Sequence, residues 1–374
     1  MKKLFLLIAF VCLQNVFGQI TSEEFSSSRL NDKRKIAIYL PEGYSERESY
    51  PLFVVLDAAS LMEPMIAATR YYEYLQCMPK SIIVGIFNTH TDVAIAEEVG
   101  HPMNETAQFF EFIGTELVPY IKGKYPINTL RGIVASEEAA YFASHYLLSD
   151  KPLFNALIAL NPKVQSYIRE SLPEQFTKAR HHRFCYIATT DMENDKTLKE
   201  IEALDIQLEK AFNKNVNYNY EKFAGTSPES ADLMGIARGL DLLFDIYKPI
   251  TAKEFKEKIQ PLQQNIFQYL GDKYTKIQNE LGVKKKPSLN DVLAIYDAIH
   301  QKEDWPSLSD LSDFVKSNGY NDTAMPNFFL GEYYEKIEEY KKAMRAYQKA
   351  YGEPSIDFIN SDLINERITN LRGK

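Results

Sequence analysis

The stretch Arg131–Ala143, RGIVASEEAAYFA, carries the residues best placed to do chemistry. Gly132-Ile133-Val134 reads as a short β-branched strand that passes through a small-residue corner into a helix. A corner of this kind can hold a nucleophile above the carboxyl ends of a sheet, as the G-x-S-x-G elbow does. Ala135 and Ala139 stand at the two glycine positions and meet the steric need for close strand–helix passage. The central position holds Glu137, which cannot serve as a hydroxyl nucleophile activated by histidine. Ser136, one residue early, is read as the cap of the following helix. Glu137 and Glu138 then lie at that helix's positive end. A second reading gathers Glu137, Glu138 and Glu229 into an acidic pocket that could bind a cation or a basic ligand, or do acid–base work. A solvated cluster of loop carboxylates is the simpler alternative.

The elements that must position this corner alternate in type. Lys35–Leu40 reads as a strand after a polar lead (Thr21 to Ser28), and Leu52–Asp57 is apolar throughout, as a strand buried on both faces should be. A helix over 60–75, a strand over 81–86, a polar loop over 88–104 and an amphipathic helix over 109–121 precede the corner. After it come strands over 154–160, 182–189 and 216–223, with helices over 198–212 and 231–247. Strands alternating with helices imply a mainly parallel sheet covered on both faces. From Thr251 the pattern is helical only. A long segment over 255–281 leads to the Lys284-Lys285-Lys286-Pro287 linker, followed by paired helices. Leu330-Gly331, Tyr334, Ala343, Tyr347, Ala350 and Pro354 fall at the spacing of a tetratricopeptide-like repeat. The expected division is 1–18, 19–248, 249–287 and 288–374.

Met1-Lys2-Lys3, the apolar run Leu4–Leu13 and Val16-Phe17-Gly18 form a signal-peptide pattern, with cleavage expected before Gln19 and Cys12 inside the apolar run. Export to the periplasm or the medium is therefore expected, with no membrane span in the mature chain. The 374 residues are 45% hydrophobic with a formal net charge of -8 and no long basic run, which disfavours a nucleic-acid partner. Cys77 and Cys185 beyond the leader are too few for a disulfide framework and are read as small hydrophobes. No spacing suggests a metal, and no cofactor is expected.

In the order and spacing of several segments the chain resembles the esterase family of α/β hydrolases that includes esterase D and the siderophore esterases. It is similar in particular to exported members with C-terminal tetratricopeptide-like repeats. The segments are Ser27–Tyr44, Tyr50-Pro51 with Val55-Leu56-Asp57, Ile83–Ile86 with Asn88-Thr89, Phe109–Ile121, and Phe154-Asn155-Ala156 with Leu160-Asn161-Pro162. The resemblance implies an α/β-hydrolase fold and a Ser-His-acid triad. It places Glu137 on the nucleophile and Pro228 on the histidine, and leaves Asp191 or Glu193 for the acid. It sets Ala58 on the glycine of the family's L-D-G turn, beside Asp57, and reads the family's arginine-bearing loop as Asn88–Val93. With two of three triad positions changed, the expectation is a non-catalytic binding or scaffold protein, with a protein or peptide partner for the helical repeats. The alternative is a carboxylic-ester hydrolase with a divergent site.

Overall fold

The computed structural model describes residues 19–373; the expected signal peptide, with Cys12 and its cleavage site, lies outside the described residues. The chain divides into two compact units. One comprises the described residues to Tyr247 together with Glu280–Val283, and the other Lys248–Asn279 and Lys284 onward.

The first unit is built on an eight-stranded sheet in the order β1-β2-β4-β3-β5-β6-β7-β8. Its strands are β1 (Gln19–Ser27), β2 (Asp32–Leu40), β3 (Tyr50–Leu56), β4 (Ile82–Ile86), β5 (Ile127–Ser136), β6 (Ala156–Leu160), β7 (Arg183–Thr190) and β8 (Val216–Phe223). β1 and β2 are antiparallel to their neighbours and the remainder is parallel. β3, β4, β6 and β7 are buried at every residue. That explains their unbroken apolar runs, since helices cover both faces of a parallel sheet. The helices are α1 (Ala58–Tyr74), α2 (Asn104–Glu111), α3 (Val118–Lys124), α4 (Glu137–Ser144), α5 (Ser166–Thr177), α6 (Asp195–Lys210) and α7 (Pro228–Leu243). This is the α/β-hydrolase architecture expected from the sequence.

Two local expectations are corrected and one gap is filled. The polar lead is strand β1, an edge strand whose outer side chains face water, so no apolar run betrays it. Its Phe25 packs on Phe112 and Tyr120. Helix α5 fills the stretch between β6 and β7, to which the sequence reading gave no element; only Ile168, Leu172, Pro173 and Phe176 of its residues are buried. Helix α7 begins at Pro228, not Ala231. Proline is favoured in a first turn because its missing N–H would have no intrahelical partner there, and the Ser227 side chain accepts from the Ser230 N–H.

Helix α7 sits tightly on the sheet. A Cβ at Gly235 would lie 2.6 Å from Leu160 and 2.8 Å from Ala188, and one at Gly239 2.9 Å from Ile158 and from Tyr186. These glycines set the height at which α7 holds its N-terminal turn over the ends of β5 and β6.

The second unit is all-helical, with α8 (Ile266–Leu281, whose last two residues belong to the first unit), α9 (Leu289–Lys302), α10 (Trp305–Val315), α11 (Met325–Lys336), α12 (Tyr340–Tyr351) and α13 (Ser361–Leu371). Buried Asp291 fixes its start by accepting from the Ile250 N–H at 2.6 Å and the Tyr274 hydroxyl at 2.7 Å. In the α11–α12 pair, Gly331 faces Tyr347, whose ring lies 2.6 Å from where a Cβ would stand.

Enlarging Gly239 to valine should force α7 off β6 and β7 and cost about 1–3 kcal/mol. Urea unfolding checks this, and an unchanged midpoint would show that α7 is not held by this contact.

Candidate functional site

β5 runs extended through Ser136 (φ -119°, ψ 154°), and the chain then turns left-handed at Glu137, φ 52°. An L-residue pays roughly 1–2 kcal/mol to stand there. Fully buried Ala135 and nearly buried Ala139 leave room for the turn between sheet and helix. The backbone therefore makes a strand-to-helix elbow, and Glu137 occupies its tip.

The turn sends the two side chains apart. Ser136 stands at the N-cap position but makes no cap hydrogen bond. Its Oγ instead donates to Asp232 Oδ2 of α7 at 2.7 Å, which corrects the capping expectation. Asn161, itself left-handed (φ 43°) just after β6, donates through Nδ2 to Asp232 Oδ1 at 2.7 Å and to the Pro228 carbonyl at 3.2 Å. Asn161 Oδ1 is buried without a partner. Burial pushes the Asp232 carboxyl up to about 6; the hydrogen bonds from Ser136 and Asn161 oppose this, while the charges of Glu137 and Glu229 add to it.

Glu137 and Glu138 point outward and share one cation. Lys163 Nζ donates to Glu137 Oε2 and to Glu138 Oε1, each at 2.8 Å, and the Lys163 N–H donates to the Glu137 carbonyl at 3.2 Å. Partial burial works against charge on both sides of this cluster. The ion pairs outweigh it, holding the Glu138 carboxyl below and the Lys163 ammonium above their ordinary ranges. Glu229 does not join them by a hydrogen bond. It lies in the first turn of α7, where its own N–H and Ser227 hold its carboxyl low. Of the three carboxylates that the second reading gathers into a pocket, two share a lysine, and Glu229 meets them only through the field at Asp232.

The remaining sequence-nominated positions line the same carboxyl end of the sheet. Asp57 follows β3 in a left-handed turn (φ 55°). It accepts from Ser60 Oγ at 2.6 Å, with His90 Nε2 3.8 Å from its other oxygen. Ala58 is buried. Asp191 follows β7 and accepts from the Gly225 N–H at 2.8 Å, so it braces the loop leading to Pro228. Glu193 accepts from the Asn194 N–H. None of the six histidines, all within the described residues, hydrogen-bonds to Ser136, Glu137 or Asp232. The groove bordered by Lys163, about 230 Å³, is lined by Gln165, Arg169, Lys196 and Glu200 among others. Such charged walls do not suit an acyl chain, which is held by apolar surface.

Sequence reasoning missed Asp232, Asn161 and Lys163. Asn161 sits in a segment already singled out, and Lys163 is two residues on. Asp232 is the fifth residue of a helix that begins three residues before the position read from the sequence. Cys185 is fully buried and its thiol is pushed up to about 12, whereas Cys77 is half-buried; both are unpaired. Among the described residues no group of three or more metal-ligating side chains occurs, and no helix is long and apolar enough to cross a membrane.

Folding raises the Asp232 pKa from an ordinary 3.8 to about 6, so the folded state binds the extra proton between those values. The stability from this group is present below about pH 4 and is lost as pH rises towards 6. Thermal unfolding between these limits should fall more steeply with pH in the wild type than in Asp232→Asn. Parallel profiles would refute the assignment.

Residues 27–203 match the family model described as Putative esterase. That span includes the elbow and Asp191 but ends before Pro228. The crystal structure of an uncharacterised protein from Capnocytophaga ochracea DSM 7271 is 50% identical, covers 95% of this chain and 100% of its own, and superposes with a TM-score of 0.91. An IroE-like serine hydrolase from Shewanella oneidensis shares the fold at 21% identity, over 80% of this chain and 99% of its own, with a TM-score of 0.61. The uncharacterized protein YjcH of Bacillus subtilis (strain 168) is 22% identical over 218 residues, 56% of this chain and 90% of that protein.

Proposed function

The chain belongs to the esterase family, and from that membership we propose that it is a member that binds rather than hydrolyses. The observation that carries this reading is the occupancy of the elbow tip by Glu137, tied with Glu138 to Lys163. A family hydrolase needs a hydroxyl there and an imidazole within hydrogen-bond reach of it. Here the position matched to the imidazole is the first residue of α7, Pro228, whose carbonyl is engaged by Asn161. With nucleophile and base both replaced, the backbone amides that would stabilise an oxyanion have no tetrahedral species to stabilise. The helical unit supplies the second half of the proposal. The Gly331–Tyr347 contact supports a tetratricopeptide-like hairpin, a unit whose stacked faces take peptides. We place the protein outside the cytoplasm on the leader pattern alone; N-terminal sequencing of the natural protein beginning at Met1 would refute that.

One observation favours a second reading, in which the chain is an ester hydrolase with a divergent site. Ser136 Oγ is hydrogen-bonded to a carboxylate whose pKa lies near 6, and a carboxylate can take a proton from a hydroxyl. Against it, Ser136 lies one residue before the elbow tip and faces α7.

Purified chain should not turn over short-chain nitrophenyl esters above a heat-killed control. Glu137→Ser should stay inactive for want of a base, and Pro228→His for want of a nucleophile. The double variant is expected to gain at most weak activity, because Ala58 and the altered loop after β4 remain. Robust wild-type hydrolysis abolished by Ser136→Ala would overturn the binding reading and establish the second.

A further inference from the structure

The two edges of the sheet are unlike. β1 is guarded by charge, with Glu23 held by Tyr120 and Lys124. At the other end β8 pairs only with β7 among the described residues. The Arg183 N–H donates to the Asn215 carbonyl at 2.8 Å, and the Asp191 N–H to the Phe223 carbonyl at 3.1 Å. Backbone groups alternate in direction along a strand, so Asn217, Asn219 and Glu221 also turn theirs towards β7. The N–H and C=O groups of Tyr218, Tyr220 and Lys222 therefore point away from the sheet. A row of that kind is a template for a further strand.

The side chains beside this row form a groove. Tyr218 and Lys222 reach over to α6, where the Tyr218 hydroxyl donates to Asp205 at 2.8 Å and Lys222 pairs with Glu202 at 2.7 Å. Between β8 and α6 lies a cavity of about 640 Å³ whose walls include Asp205, Glu209, Phe212, Tyr218 and Tyr220. Phe212 is 86% exposed, an unusual state for so large an apolar side chain, and the Tyr220 hydroxyl is buried without a partner. Two carboxylates and no basic side chain line the groove.

We propose that this edge binds an extended segment of another protein, added to β8 as a further strand, with basic side chains over Asp205 and Glu209 and an apolar one against Phe212. Backbone hydrogen bonds supply the affinity in such strand addition, and the pockets for alternate side chains supply selectivity. A second copy of this chain fits the edge poorly, because pairing β8 with β8 brings two acidic grooves together. The proposal is independent of the elbow's chemistry.

The test uses the full mature chain and a fluorescent, proline-flanked peptide alternating valine with lysine, read by anisotropy. It should bind at least about tenfold tighter than a peptide with glutamate in place of lysine. N-methylation of alternate amides should abolish most of that affinity. Glu209→Lys, at an exposed site with no hydrogen bond of its own, should reverse the charge preference. Tyr220→Pro, which deletes one outward N–H and no β7 bond, should weaken binding. Glu137→Ser should leave binding unchanged, which separates this result from the elbow reading. Equal affinity for the two peptides, indifference to N-methylation, or no effect of Glu209→Lys would overturn the proposal. So would a dimer dispersed by Tyr220→Pro in a chain that binds no peptide.

Discussion

The left-handed turn at Glu137 is the constraint on which the rest of the site depends. It is one of four at the same edge of the sheet. Adjacent strands β4, β3, β5 and β6 are followed by Asn88 (φ 55°), Asp57 (φ 55°), Glu137 (φ 52°) and Asn161 (φ 43°). None of these is glycine, and such backbone persists only where the surroundings over-determine it. Here the over-determination is visible: β3, β4 and β6 are wholly buried, and six of the eight residues of α4 are buried. Asparagine and aspartate tolerate the left-handed region well and glutamate less so. Glu137 thus stands in the most costly of the four turns and carries a side chain without the chemistry that such an elbow presents in a hydrolase.

Electrostatics explains why the cluster is stable without that chemistry. Glu137 and Glu138 lie half-exposed in the first turn of α4, where the helix dipole favours negative charge, and Lys163 neutralises them. Among the described residues no cation is hydrogen-bonded to Asp232, which is deeper; it accepts from a hydroxyl and an amide instead. A part-buried carboxylate held by neutral donors is less easily ionised than one held by a cation, and its pKa rises accordingly. The lysine and the part-buried Asp232 carboxyl are complementary halves of one arrangement. Charge is met at the surface and hydrogen-bonding demand is met beneath it.

Much of this was legible in the sequence, and the limits are physical. Unbroken apolar runs such as Leu52–Leu56 reveal strands buried on both faces, and the alternation of these with helices gives the sheet its parallel core. Edge strand β1 is illegible because its outer face has no apolar partner to demand a pattern. The elbow was readable from Ala135, Glu137 and Ala139, since close packing demands small residues at fixed spacing. The direction of the Ser136 side chain was not readable. Capping and bonding to α7 use the same residue type, and only the tertiary position of Asp232 decides between them. Asp232, 96 residues from Ser136, makes a contact that no local pattern encodes.

Fold and chemistry are held by different parts of this sheet. The left-handed edge, the glycine-lowered α7 and the buried strands preserve the scaffold of a hydrolase, and they do so whether or not a nucleophile stands at the elbow. Their demands fall on small residues, on burial and on backbone conformation, none of which requires serine at residue 137 or histidine at residue 228. At the elbow itself Lys163 pairs with Glu137 and Glu138, and Ser136 and Asn161 donate to Asp232. Along β8 the backbone groups of Tyr218, Tyr220 and Lys222 face outward beside an acidic groove.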